Sequence, residues 1–174
     1  GDMDPAEEYF QKAYKKLPIA QYALDLGDLY AHRGEIAKAG QYFALTEIAF
    51  STSVTSGVNT DLEEALFLAD HDLDLPNALR KAERAYKERP SIYAADHLAW
   101  ALFKNNKIRE ALGYRDAAIR LGEHDPLILF HQGMIAYGDG NFVLARRYLD
   151  TALELNPTFS IRDVPIAEKT LKEL

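Results

Sequence analysis

The chain is 174 residues long, 48% hydrophobic and 27% charged, with a net charge of -7, a single tryptophan and no cysteine. This balance suits one soluble domain or a short repeat array and argues against disorder over most of the length. The missing cysteines exclude disulfides, thiolate nucleophiles and Cys-ligated zinc. The acidic balance disfavours nucleic-acid backbones and anionic lipid, and no apolar run is long enough to predict membrane insertion.

In chain order, residues 1–18 read as a partial repeat or an N-terminal capping helix: Ala6 to Lys16 looks like the second helix of a repeat whose first helix is missing. Residues 20–50, 59–90, 92–124 and 126–157 each read as helix, turn, helix, with apolar residues at three- and four-residue steps. Between the first two of these, Ser51 to Val58 reads as a Ser/Thr-rich loop. Thr60 and Glu63 form a capping box ahead of the Leu62, Ala65, Leu66, Ala69 stripe, and Asp125 before Pro126 reads as an N-cap with a first-turn proline. Residues 161–174 read as a short charged helix carrying Ile166 and Leu171, a solvating cap on the last repeat. All of this is read as a single domain, 1–174.

The second helices open on Ala6, Ala39, Ala78, Ala111 and Ala145, separated by 33, 39, 33 and 34 residues. Within the units, Ala6, Phe10, Ala13 and Pro18 have the same spacing as Ala78, Ala82, Ala85 and Pro90, and as Ala145, Leu149, Ala152 and Pro157. Small residues there allow two antiparallel helices to approach closely, and the proline ends the second helix. Leu26-Gly27 with Tyr30 completes a Leu-Gly-x-x-Tyr element. With a period near 34, the sequence resembles the tetratricopeptide repeat family over nearly its whole length. It departs from that family in having Ala23, Leu62, Ala95 and Leu129 at the usual tryptophan position. Gln132 stands where Leu is usual, and Arg115 where a large apolar residue is usual. The resemblance implies an all-α fold, a right-handed α-α superhelix of about four helix-turn-helix repeats with terminal capping helices.

Three clusters are weighed for chemistry. Asp70, His71 and Asp72 begin like a calcium loop, but Leu75 replaces the required glycine and Lys81 the bidentate glutamate, which favours an acidic inter-helix turn. His97 and His131 hold nearly the same place in successive repeats, yet no third ligand accompanies them. The serines of Ser51 to Ser56 lack a placed base. No catalytic constellation, cofactor motif or phosphate loop is present, so a metal-binding or enzymatic domain is the alternative rather than the leading reading. An architectural spacer and a self-associating module are the others. The compartment stays open between cytoplasm and periplasm.

In the resembled fold the first helices line a concave surface. Their spare residues predict a groove of Tyr93, Asp96, His97, Trp100 and Phe103, then Phe130, His131, Met134 and Tyr137, aromatic and histidine-rich. The earlier half, Asp25, Asp28 and His32 with Thr60, Glu63, Glu64, Phe67 and Asp70, is acidic. Such a groove suits a peptide with apolar anchors and a neutral or basic character. The basic clamp for a terminal carboxylate found in the family's best-known peptide grooves is missing, so an acidic C-terminal tail is not the expected ligand. Each aromatic is equally consistent with packing in the repeat core.

Overall fold

A computed structural model describes residues 3–122 and 124–174; residues 1, 2 and 123, within the expected 1–18 and 92–124 segments, lie outside that description. Ten α-helices and no strand occur among the described residues. They fall into two compact units, 1–60 and 61–174.

In the N-terminal unit, α1 (Met3–Lys16) precedes the pair α2 (Ala20–His32) and α3 (Ile36–Thr55). Ala23, Leu26, Gly27 and Tyr30 share one face of α2 at helical spacing and are buried. A Cβ on Gly27 would overlap the Phe43 ring of α3, so the glycine of the Leu-Gly-x-x-Tyr element is there to let the helices touch. The Tyr30 hydroxyl donates to Glu7 (2.7 Å), accepts from Gln11 (2.9 Å), and its ring stacks on Tyr42. Glu7 also pairs with Arg33, which ties α1 to the end of α2.

The stretch Ser51–Thr55, expected as loop, is the last turn and more of α3; only Ser56 onward leaves the helix. The reason is local. Thr52 and Ser53 donate their hydroxyls to the carbonyls of Ile48 and Ala49 one turn back (2.8 and 3.0 Å), so polar side chains that favour loops are satisfied inside a helix.

The C-terminal unit contains the pairs α4 (Asp61–Asp70) with α5 (Leu75–Glu88), α6 (Ile92–Lys104) with α7 (Ile108–Ala118), and α8 (Pro126–Gly138) with α9 (Phe142–Leu155), closed by α10 (Asp163–Glu173). Each first helix packs on its own second helix, and the first helices α4, α6 and α8 also pack side by side. Asp61 accepts from Lys81 (3.1 Å) and Arg84 (2.6 Å), which pins the start of α4 to α5. The expected cap at α8 is present: the Asp125 carboxylate accepts from the N–H groups of Leu127 and Ile128, followed by Pro126 in the first turn.

The turns between paired helices share one device across both units. Gly34, Asp72, Asn106 and Gly140 have φ of 75°, 54°, 60° and 79°. Just beyond each, a backbone N–H returns to a carbonyl five residues earlier: Glu35 to Tyr30, Leu73 to Leu68, Lys107 to Leu102 and Asn141 to Ala136 (2.8 to 2.9 Å). These are left-handed helix stops that close the orphan carbonyls, and Asp and Asn tolerate the conformation that glycine adopts freely. The acidic stretch at Asp70–Asp74 is thereby an inter-helix turn.

Two helical glycines should respond oppositely to alanine. Gly27→Ala is expected to cost about 1–3 kcal/mol through overlap with Phe43. Gly40, with open space around its Cβ position in α3, should gain about 0.5–1 kcal/mol on Gly40→Ala. Urea denaturation of both variants checks the pair, and equal effects would contradict the packing described.

Candidate protein-binding face

In the C-terminal unit, α4, α6, α8 and the segment leading into α10 build one face. It does not present the expected open surface. Asp96, His97, Trp100, Phe130, His131 and Phe67 are buried, His131 and Phe130 fully. Tyr93 remains 46% exposed and Glu63 is exposed; Met134, Tyr137 and Asp70 are half-buried. Asp28, on α2, is half-buried within the N-terminal unit.

The cover comes from the chain's own C-terminal segment. The Phe159 ring lies on Phe130 (5.9 Å between centroids) and joins the apolar cluster of Leu129, Tyr148 and Ala152. Arg162 reaches Asp70 at the end of α4 (2.8 Å). Further along α10, Thr170 donates to the Met134 sulfur (3.6 Å), and Glu173 accepts from the Tyr137 hydroxyl (2.9 Å). Three of the expected surface residues, Phe130, Met134 and Tyr137, therefore carry a C-terminal residue upon them.

Beneath that cover sits a connected polar cluster. The Trp100 indole N–H donates to Asp70 (2.7 Å). Trp100 stacks with Phe103 (5.2 Å between centroids) and with the His131 imidazole (4.3 Å, 15° between planes). Lys104 holds its ammonium over the Trp100 ring at 5.6 Å while pairing with Asp72 (2.7 Å). His131 Nδ1 bonds Asp96 Oδ2 (2.7 Å), and Gln132 Nε2 donates to the other oxygen of Asp96 (3.3 Å). His97 points elsewhere, its Nδ1 toward the Leu62 carbonyl (3.2 Å).

Four polar atoms of this region are buried without a hydrogen-bond partner in the structure: His131 Nε2, Gln132 Oε1, and Nε and Nη1 of Arg162. Each is costly to bury unpaired, by about 1–3 kcal/mol for a neutral group. Arg162 Nη2 alone makes both of that residue's bonds, to Asp70 and to Asp163 (2.7 Å).

Charge follows from these contacts. Burial pushes the His131 imidazolium down, but the Asp96 carboxylate more than offsets it, so its pKa is raised. For His97 burial dominates, with the His131 charge adding to it, and the pKa is lowered. Burial likewise disfavours the Arg162 guanidinium, and Asp70 and Asp163 outweigh it, holding the group charged.

Asp70, His71 and Asp72 do not converge. Asp70 serves Arg162 and Trp100, His71 Nδ1 lies 2.8 Å from the Phe67 carbonyl, and Asp72 pairs with Lys104. No group of three or more His, Asp or Glu side chains among the described residues is placed to hold a metal ion. No described helix is long and apolar enough to cross a membrane.

Gln132, Phe159, Arg162 and Asp163 were not among the residues expected at the site. Gln132 did carry a signal, as a polar residue at a position where the repeat wants leucine. Arg162 and Asp163 carried none, since a charged pair at the start of a capping helix is the ordinary solvating pattern.

Repeated antiparallel helix pairs of this length, joined by identical left-handed stops and packed first helix on first helix, define an α-α solenoid of helical repeats. The chain belongs to the tetratricopeptide repeat family, whose model matches residues 1–53 and 97–158, more than half of its length. No curated protein matches the chain. Tetratricopeptide repeats generally mediate protein–protein interaction.

The Asp96–His131 pair predicts a pH signature. Because the folded state holds the His131 proton above the unfolded value near 6.5, the pair's stabilisation is complete below that value and is lost as pH rises through the folded pKa. His97, depressed, contributes above 6.5 and loses its contribution as pH falls. In Asp96→Asn the carboxylate charge is gone and burial acts on both histidines. The thermal midpoint of the wild type relative to Asp96→Asn should therefore fall from pH 6 to pH 8. Scanning calorimetry at the two pH values checks this, and an offset that stays constant or grows would contradict it.

Proposed function

We propose that the protein is a non-catalytic interaction scaffold that takes a peptide or protein segment on its first-helix face. Tyr93, Asp96, His97, Trp100, Phe130, His131, Met134 and Tyr137 are the central residues. Glu63, Phe67 and Asp70 extend the face along α4; Asp28, on α2 of the N-terminal unit, is a separate candidate contact. It needs no cofactor, and its partner is a protein rather than nucleic acid or lipid.

One observation carries the reading: the polar cluster buried under the C-terminal segment contains atoms that lack partners. A repeat selected for stability alone fills such positions with aliphatic groups, since replacing buried ionic groups by well-packed apolar ones is commonly neutral or stabilising. Here the interior of one face holds two carboxylates, two imidazoles and an amide. Sites that break the local packing rule are the ones where function is expected. Exposed Tyr93, on the first turn of α6, offers the aromatic anchor that interfaces favour.

The test uses substitutions that leave the fold intact. Tyr93→Ala removes an exposed side chain and should change stability by less than about 0.5 kcal/mol. Gln132→Leu restores the usual family residue at nearly the same volume. Partners captured from native extract by the wild type should be retained at least fivefold less by both variants, with circular dichroism unchanged. Val143→Ala, on the exposed side of α9, should capture like the wild type. Equal capture by all four proteins would move the binding site off this face.

A further inference from the structure

We infer that the Asp70–Trp100 corner is a receiving site for an arginine side chain of the bound segment, and that Arg162 fills it in the absence of a partner as an internal stand-in. This rests on the first-helix face being the binding face.

The corner is built in advance of the cation it holds. Asp70 is fixed by the Trp100 indole N–H (2.7 Å), and Trp100 itself stacks with both Phe103 and His131. A carboxylate held by a rigid donor, beside an aromatic surface and with little water around it, is the arrangement that selects a guanidinium. Arg162 occupies it from a segment that lies outside the repeats.

The internal occupant fits poorly. A guanidinium has five N–H donors and binds a carboxylate best through two parallel bonds. Arg162 uses one nitrogen, Nη2, for both Asp70 and Asp163, while Nε and Nη1 are buried with no acceptor. Its geometry is constrained by Asp163, the next residue in the chain, which also takes the Ser160 hydroxyl (2.8 Å). An arginine arriving on a separate segment is free of that constraint. It can meet both oxygens of Asp70 side by side and turn its other donors toward its own carbonyls or water. The chain's net charge of -7 favours the approach of a cationic segment to the protein.

Because Trp100 is the only tryptophan and bonds Asp70 directly, its fluorescence reports on the corner. The probe is an acetylated, amidated Ser-Ile-Arg peptide copying residues 160–162, titrated against the full chain carrying Arg162→Ala. Saturable change in Trp100 emission is expected, with an affinity at least tenfold higher than for the wild type. The same peptide with citrulline, neutral and nearly isosteric, in place of arginine should bind at least tenfold more weakly. Adding Asp70→Asn to Arg162→Ala should remove the difference between the two peptides. Should Arg162→Ala fail to fold, Arg162→Lys replaces it, and the arginine peptide must then bind at least threefold tighter than to the wild type. A folded variant that binds the arginine and citrulline peptides equally, or neither, overturns the inference. If that happens while the Tyr93→Ala and Gln132→Leu variants still lose their partner, the binding face stands and only the arginine site falls. If the arginine peptide binds but no partner depends on Tyr93 or Gln132, the corner is a cation site outside any binding face, and the partner role assigned to it falls.

Discussion

Close approach of two helix backbones is the constraint on which the rest of this structure depends. It is met by residues with almost no side chain. Ala39, Ala78, Ala111 and Ala145, which sit near the start of the second helices, are buried to 3% exposure or less. Opposite them, a Cβ on Gly133 would stand 2.7 Å from Leu149, and one on Gly27 would overlap Phe43. Larger residues at these places would force the pairs apart, and the ridges of one helix would no longer reach the grooves of its partner. The left-handed stops at Gly34, Asp72, Asn106 and Gly140 then fix how each chain turns back. Contact and stop together make one unit, and repetition makes the solenoid.

Helix contacts made by small residues leave other positions of the first helices free for other uses. In α6 and α8 those positions include Asp96, His97, Trp100, His131 and Gln132, all buried, and Phe159 of the C-terminal segment lies on the neighbouring Phe130. Stability does not ask for such residues. The buried Asp96 carboxylate bonds the His131 imidazole at 2.7 Å and holds its pKa up against the burial that would lower it. Removing either partner would leave the other to carry its desolvation cost alone.

The period, the alternation of first and second helices and the capping segment were legible in the sequence because each rests on a repeated local pattern. Ala, Gly and Pro recurring at fixed offsets are compatible with few folds. The helical state of Ser51–Thr55 was not legible, since hydroxyl side chains are compatible with a loop until their i-4 carbonyls are placed. The aromatic and histidine residues of the site were legible as a cluster, but their burial was not. What buries Phe130 is Phe159, and what engages Asp70 is Arg162, 92 positions away along the chain. Contacts of that separation follow no periodicity. The one local trace of the cluster was Gln132, a residue whose amide has no place in a leucine position unless Asp96 is there to receive it.

The stand-in also sets how tightly a partner must bind. If the corner is occupied internally in 99 of 100 molecules, a partner's observed affinity falls about a hundredfold, which corresponds to about 2.7 kcal/mol. A perfect internal fit would raise that barrier until weak partners could not enter, and an absent one would leave Asp70 to any basic segment. Arg162 lies between these limits: it is charged and paired, yet two of its three nitrogens are without acceptors. The imperfect fit thus gives selectivity. Only a segment that satisfies Asp70 better than one shared nitrogen does, and that gains further contact with the aromatic residues nearby, shifts the equilibrium toward the open face.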